Sequence, residues 1–227
     1  MSYAPSTLAL LIIDVQRDFA EGGALAVPDG NAVVPKINAL RAGLNRPHIY
    51  KSQDWHPQDH TSFYTNNAGA VPFSTVELSS GPQVMWPPHC VQGSAGAEFI
   101  SGLNHGDTDS DGIILKGTNP AVDSYSAFGD ATPGHSLEKT ELEINLAYDG
   151  VKTVVVCGLA LDYCVSYTAK DAAAAGFKTY VVLDACRGIA AESIDKEIGE
   201  MTEAGVIIVS TMLDLPAELL KPVPYME

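Results

Sequence analysis

Short apolar runs alternate along this chain with longer segments of helical character. Residues 8–13 form a continuous apolar run of strand length, and in residues 31–44, after Asn31 as a cap, apolar positions recur at helical spacing. Runs without polar positions are typical of strands that are covered on both faces. Five further strands are predicted at residues 48–51, 113–115, 153–157, 179–183 and 206–209. Further helices are predicted at residues 136–148, 163–176 and 192–204.

This order of elements predicts an α/β fold with three layers, α/β/α, and a six-stranded, mostly parallel sheet. With 227 residues and 46% hydrophobic content, the chain can form one such domain over residues 1–227. The region from about residue 53 to 111 is rich in Pro, Gly, Ser and Asn and lacks periodicity. A stretch of that length is either disordered or functional. Its histidines and tryptophans favour a role in binding metal and substrate.

Composition narrows the class of partner. The net charge of −15 argues against nucleic acid and anionic membranes, because both attract basic surfaces. The apolar runs are too short to span a membrane, and the N-terminus lacks the pattern of a signal peptide. The four cysteines include no C-x-x-C pair, which disfavours a disulfide framework or a cysteine zinc site. We therefore expect reduced thiols and a cytoplasmic protein.

Cys164 stands where a predicted strand passes through Gly158 into an alanine-rich helix. A thiol in the first turn of a helix has a lowered pKa, and free backbone N–H groups beside it can hold an oxyanion. Asp162 is predicted to cap this helix. The alternative interpretation is a buried structural cysteine, which is the commoner role in a cytosolic domain.

Asp14 and Lys116 also follow predicted strands, and the carboxyl ends of parallel strands meet at the edge where α/β sheets bind ligands. Taken alone, Asp14 could be a helix cap and Lys116 a solvated strand end. Beside Cys164, the lysine would stabilise a thiolate and the aspartate would accept the thiol proton.

Asp54 and His56 lie two residues apart in an extended segment, so their side chains point to the same side, and His89 can complete a set of three. Two histidines and a carboxylate suit Zn²⁺, Fe²⁺ or Mn²⁺, and the spacing does not choose among them. A solvated loop is the other interpretation. Two roles remain open for His60: a direct metal ligand, or a residue that braces the loop. The other histidines are expected at the surface or as caps: His48, His105 and His135.

With these residues in place, the chain resembles the nicotinamidase/pyrazinamidase group of the isochorismatase-like cysteine hydrolases. The similar motifs lie, in the same order, at residues 12–19, 54–57, 86–90, 116–117, 123–128 and 158–165. The resemblance implies a catalytic triad of Asp14, Lys116 and Cys164. It also implies a non-proline cis peptide between Leu159 and Ala160, with the N–H groups of Ala160 and Cys164 as the oxyanion hole.

The resemblance further implies hydrolysis of nicotinamide, and also of pyrazinamide, through a thioester on the cysteine, as a step of NAD salvage. It implies one divalent metal ion, zinc before iron or manganese, held by Asp54, His56 and His89. The substrate ring would be enclosed by Phe19, Trp86, Tyr125 and Leu159. Aromatic side chains suit the flanks of a flat ring, although core packing is the alternative role for each of them.

Two other functions stay open at this point. A related hydrolase acting on a carbamoyl or ureido compound would use the same triad, generally without the set of Asp54, His56 and His89. A catalytically silent binding protein on the same fold is the second alternative. The sequence leaves undecided whether the chain forms a homo-oligomer.

Overall fold

The computed structural model describes residues 6–78, 81–103, 111–129 and 138–222. The apolar run Leu8–Ile13 forms the central strand β1, and all six of its residues are buried. Strand β1 pairs in parallel with β2 (His48–Asp54) on one side and with β6 (Thr153–Leu159) on the other. Because both of its faces are covered, the strand needs no polar position.

The remaining strands extend this sheet at both edges. They are β5 (Gly112–Lys116), β7 (Lys178–Arg187) and β8 (Ile207–Val209). Within the described residues the sheet has six parallel strands in the order β5-β2-β1-β6-β7-β8. A separate antiparallel hairpin consists of β3 (Thr75–Leu78) and β4 (Gly81–Val84). The predicted six-stranded α/β fold is confirmed.

The helices are α1 (Val33–Gly43), α2 (Leu142–Tyr148), α3 (Ser166–Ala174) and α4 (Ala191–Glu203). Helices α3 and α4 pack against each other, and α1 packs on β6 and β7. The chain moves one way across the sheet from β1 to β2 and the other way from β6 to β8. Right-handed crossovers therefore place α1 on the face opposite α3 and α4, which gives the predicted three layers. Of the helices in the described ranges, none is long and apolar enough to cross a membrane.

Several predicted boundaries were wrong. Helix α2 begins only at Leu142, because Lys139 bridges to Gly129, and residues 136–137 of the predicted helix lie outside the described ranges. Helix α1 follows a 3-10 turn and has no side-chain cap from Asn31. Strands β2 and β7 run further than predicted. The hairpin β3–β4 was missed, because each strand has only four residues and β4 contains a proline, Pro82.

The carboxyl ends of the central strands form the edge that carries the candidate site. Asp14 follows β1, Asp54 ends β2, Lys116 ends β5 and Ala160 follows β6. Because the chain leaves β1 and β6 in opposite directions, a crevice opens between the ends of these two neighbouring strands. The prediction that these strand ends share one edge is confirmed.

Candidate active site

Cys164 lies in a π-helical turn, Leu161–Val165, between β6 and α3. The N–H of Val165 donates to the carbonyl of Ala160, five residues earlier, at 3.1 Å. The peptide bond between Leu159 and Ala160 is cis, as predicted. The predicted helix therefore starts with a wider turn than expected, a feature that is frequent at functional sites.

Gly158 brings this turn close to the end of β1. Its φ is +123°, and a Cβ added there would overlap the backbone of Ile13. Only glycine allows this approach of two backbones. Asp14, the residue after Ile13, consequently lies beside the turn that holds Cys164.

Asp162 does not cap its own helix, so that prediction was wrong. Its carboxylate instead accepts hydrogen bonds from the N–H groups of Ile189 at 2.9 Å and Ala190 at 3.2 Å, and from the hydroxyl of Ser193. The π turn aims the side chain at the start of α4. Asp162 thereby ties the turn with Cys164 to the loop after β7.

The Lys116 ammonium is the centre of the buried polar cluster. Its Nζ lies 3.0 Å from Asp14 Oδ2 and 3.4 Å from Cys164 Sγ. It also donates to the carbonyl of Ser124 at 3.0 Å and to Oδ1 of Asp54. Asp14 Oδ1 accepts from the hydroxyl of Ser52 at 2.7 Å. The structure thus brings Asp14, Lys116 and Cys164 together, as predicted.

Burial governs the protonation of these groups. It raises the pKa of Cys164 well above its usual value; the Lys116 ammonium opposes this, and the Asp14 and Asp54 charges add to it. The expectation of a lowered pKa for this thiol was wrong, because the thiol is buried beside two carboxylates. Burial also raises the pKa of Asp14 to about 6, against the Lys116 ammonium.

Lys116 stays charged in this environment. Burial alone would lower its pKa, but Asp14 and Asp54 raise it well above the usual value. Near neutral pH the cluster therefore holds a thiol, an ammonium and a carboxylate ready to accept a proton.

Asp54, His56 and His89 form a second group that meets the first at Asp54. Asp54 Oδ2 lies 3.6 Å from His56 Nε2 and 3.8 Å from His89 Nε2. The Nδ1 atoms of the two histidines donate to the carbonyls of Gly117 at 2.9 Å and Pro87 at 2.8 Å. These bonds leave the Nε2 atoms facing the space shared with Asp54. Because metal–ligand bonds are about 2.0–2.2 Å long, the donor set fits one small divalent ion.

The electrostatics of the second group differ between its two histidines. Burial alone would lower the pKa of His56, but the Asp54 carboxylate raises it above its usual value. Burial and the neighbouring His56 lower the pKa of His89 to about 4, so its imidazole is neutral. Burial alone would raise the pKa of Asp54, but Lys116 and His56 hold it well below its usual range. A Cβ on Gly117 would overlap the ring of His56, so glycine is needed after Lys116.

His60 lies beside this group, with its ring 4.2 Å from that of His56. Its Nε2 donates to the carbonyl of Val122 at 3.2 Å, and its Nδ1 is 2.7 Å from the hydroxyl of Ser62. Both ring nitrogens thus have protein partners. This geometry favours the bracing role over direct ligation. 

A cavity opens beside Cys164. Of the predicted pocket residues, Phe19, Trp86 and Tyr125 line it, and Trp86 Nε1 donates to the Tyr125 hydroxyl at 3.1 Å. Leu159 is fully buried and is not among the lining residues. The sequence analysis missed five residues that line the cavity: Leu25, Val27, Asp123, Tyr163 and Ile189. Two of them lie inside the motifs at 123–128 and 158–165, so the motifs themselves could have indicated them.

The remaining histidines are remote from this cavity or outside the described residues. His48 is half-buried, near the carbonyl of Ser6, with its Nδ1 3.0 Å from Asp149. His105 and His135 lie outside the described residues.

Comparison with known proteins agrees with this geometry. A model of the isochorismatase domain matches residues 8–212. The chain belongs to the isochorismatase family. Nicotinamidase from Acinetobacter baylyi is 42% identical to this family member over 204 residues, covering 89% of this chain and 92% of that protein. The resemblance drawn from the motifs is thereby confirmed.

Solved structures of the same family superpose closely on this isochorismatase domain. The nicotinamidase and pyrazinamidase of Acinetobacter baumanii gives a TM-score of 0.83 at 41% identity, covering 91% of this chain and 97% of that one. Pyrazinamidase of Pyrococcus horikoshii, in complex with zinc, gives a TM-score of 0.72 at 37% identity, covering 90% and 99% of the two chains.

Proposed function

We propose that this protein is an amidohydrolase that converts nicotinamide and water to nicotinate and ammonia. The cluster of Asp14, Lys116 and Cys164, in which Cys164 lines an aromatic-walled cavity, carries the proposal. The similarity to the nicotinamidase of Acinetobacter baylyi supports this choice of substrate.

In the first half of the proposed reaction, Asp14 Oδ2 accepts the thiol proton as Cys164 Sγ attacks the carboxamide carbon. Lys116 offsets the negative charge that moves between these two groups. The N–H groups of Ala160 and Cys164 hold the oxyanion of the tetrahedral intermediate. Asp14 returns the proton to the nitrogen, ammonia departs, and a thioester remains on Cys164.

In the second half, a water molecule attacks the thioester carbon while Asp14 accepts one of its protons. The carbon–sulfur bond breaks, nicotinate leaves, and the proton returns to the Cys164 sulfur. Asp14 thus acts twice as base and twice as acid within one turnover. Its pKa of about 6 leaves it ionised, yet easily protonated, near neutral pH.

We further propose that Asp54, His56 and His89 hold one divalent ion, zinc in the first place, with iron and manganese as alternatives. The donor set described above and the zinc in the Pyrococcus horikoshii structure support this. When bound, the ion supplies Lewis acidity and a point of attachment for a ring nitrogen. We place His60 outside the direct ligands, as a residue that braces His56.

The cavity walls support a flat heteroaromatic substrate. Phe19, Trp86 and Tyr125 would pack against the ring, and pyrazinamide fits the same walls because it replaces one ring CH by nitrogen. We place the enzyme in the cytoplasm, with this small molecule as its partner.

Ammonia release from nicotinamide, with nicotinate identified by chromatography, tests the proposal. The wild type should release one ammonia for each nicotinate formed. Turnover of a ureido compound and none of nicotinamide would favour the related hydrolase. No turnover of either by metal-loaded protein would favour the silent binding protein.

A further inference from the structure

Gln16 is a fully buried side chain that holds the backbone of Asp54. Its Nε2 donates to the Asp54 carbonyl at 2.8 Å, and its Oε1 accepts from the Asp54 N–H at 2.8 Å. Its Nε2 also donates to the carbonyl of Ala97 at 3.0 Å. The amide thus binds both backbone groups of Asp54 where β2 ends, and it fixes the direction of the Asp54 side chain.

Asp18, two residues further on, binds the backbone directly next to His89. Its Oδ2 accepts from the N–H of Cys90 at 2.7 Å, directly after His89. Cys90 has a φ of +46°, a conformation that needs such support in a residue other than glycine. A Cβ on Gly96 would overlap the Asp18 carboxylate, so the neighbouring segment is shaped to admit it.

We infer that Gln16 and Asp18 are positioning residues that set the spacing between Asp54 and His89 and so determine the affinity for the ion. The inference rests on the proposed metal set. Asp54 and His89 lie 35 positions apart in the sequence. One short segment after β1 makes hydrogen bonds to the backbone of Asp54 and to the N–H of Cys90, the residue after His89. That segment also carries Asp14, so the same backbone positions the base and the donor set.

The affinity for Zn²⁺ of the metal-free, full-length protein tests the inference, measured by competition with a chromophoric chelator in the absence of substrate. Gln16→Met and Asp18→Ala should each weaken zinc binding by about 10–100-fold, the usual effect of residues that orient metal ligands. Asp18→Asn keeps an acceptor for Cys90 and should stay near wild type. Gln16→Glu retains one of the three hydrogen bonds and should fall between wild type and Gln16→Met.

Gln53→Met is the matched control. Gln53 donates to the same Ala97 carbonyl at 2.8 Å, and its loss leaves the bonds from Gln16 to Asp54 in place. This variant should bind zinc like wild type. The melting temperature of each metal-free variant separates lost positioning from lost folding.

Three outcomes would overturn the inference: a folded Gln16→Met or Asp18→Ala protein with wild-type zinc affinity, an equal loss in Gln53→Met, or a wild type that holds no zinc. A wild type that binds zinc tightly, yet releases no ammonia from nicotinamide, would refute the proposed function and leave the inference standing.

Discussion

Lys116 and Asp54 join the nucleophile to the donor set, because Lys116 Nζ donates to one oxygen of Asp54 while the other faces two imidazoles. The same ammonium reaches Asp14 and Cys164. A change in the charge of Asp54 therefore changes the electrostatic environment of the Cys164 thiol through one buried lysine.

Replacement of Lys116 tests this connection. Since its ammonium lowers the pKa of both Cys164 and Asp14, Lys116→Met should raise both and slow the alkylation of Cys164 at a given pH. Lys116→Arg keeps the charge and should retain much of the reactivity. The measurement is the pH dependence of iodoacetamide labelling, read by mass spectrometry of the Cys164 peptide. Lys170→Met, which removes a lysine on α3 that pairs with Glu197 on α4, is the control. An unchanged labelling profile in Lys116→Met would show that the lysine does not act on the thiol.

Cys164→Ala should abolish turnover and still bind nicotinamide, because it removes the nucleophile and leaves the cavity. Rapid quenching of the wild type during turnover should reveal an acyl adduct on the same peptide. Cys186→Ala changes another buried cysteine outside the cavity lining and should stay active. Turnover by Cys164→Ala would rule out the covalent route.

The pH profile reports on Asp14. The base must be ionised, and burial raises the pKa of Asp14 to about 6, so kcat/KM should fall as the pH drops through about 6 and level off above it. Asp14→Asn removes the base and should lower the acylation rate by about 10²–10⁴. Asp29→Asn alters an exposed carboxylate paired with Arg187 and serves as the comparison. A profile that stays flat down to pH 4 would contradict the assignment of Asp14 as base.

Metal content tests the donor set directly. Elemental analysis should find about one divalent ion per chain, and chelation should remove activity that added Zn²⁺, Fe²⁺ or Mn²⁺ restores. His89→Ala should lose the ion, whereas His60→Ala should lose much less, because both nitrogens of His60 are already bonded. His48→Ala should be neutral. Full activity in metal-free protein would refute the set, and an equal loss in His60→Ala would place His60 among the ligands.

The positions of Asp14 and Lys116 were predictable from the sequence. Each follows an apolar run of strand length, and the carboxyl ends of parallel strands lie at one edge of the sheet. The pKa of Cys164 was not predictable, since it depends first on burial and then on charged groups from other segments, among them Lys116 and Asp14. Asp162 was predicted to cap its own helix, because capping preferences describe partners that are close in sequence. Its hydrogen-bond donors, Ile189 and Ser193, are distant in sequence. The extent of the domain over residues 1–227 and the roles of the site residues stay predictions.

A cysteine that rests as a buried thiol is also protected from oxidation. Peroxide attacks the thiolate, so a site that keeps sulfur protonated reacts slowly with it. Burial raises the pKa of all four cysteines of this chain. As a consequence, Cys164 must lose its proton again in each catalytic cycle. Cys164 should therefore react with peroxide more slowly than a cysteine that is kept as a thiolate.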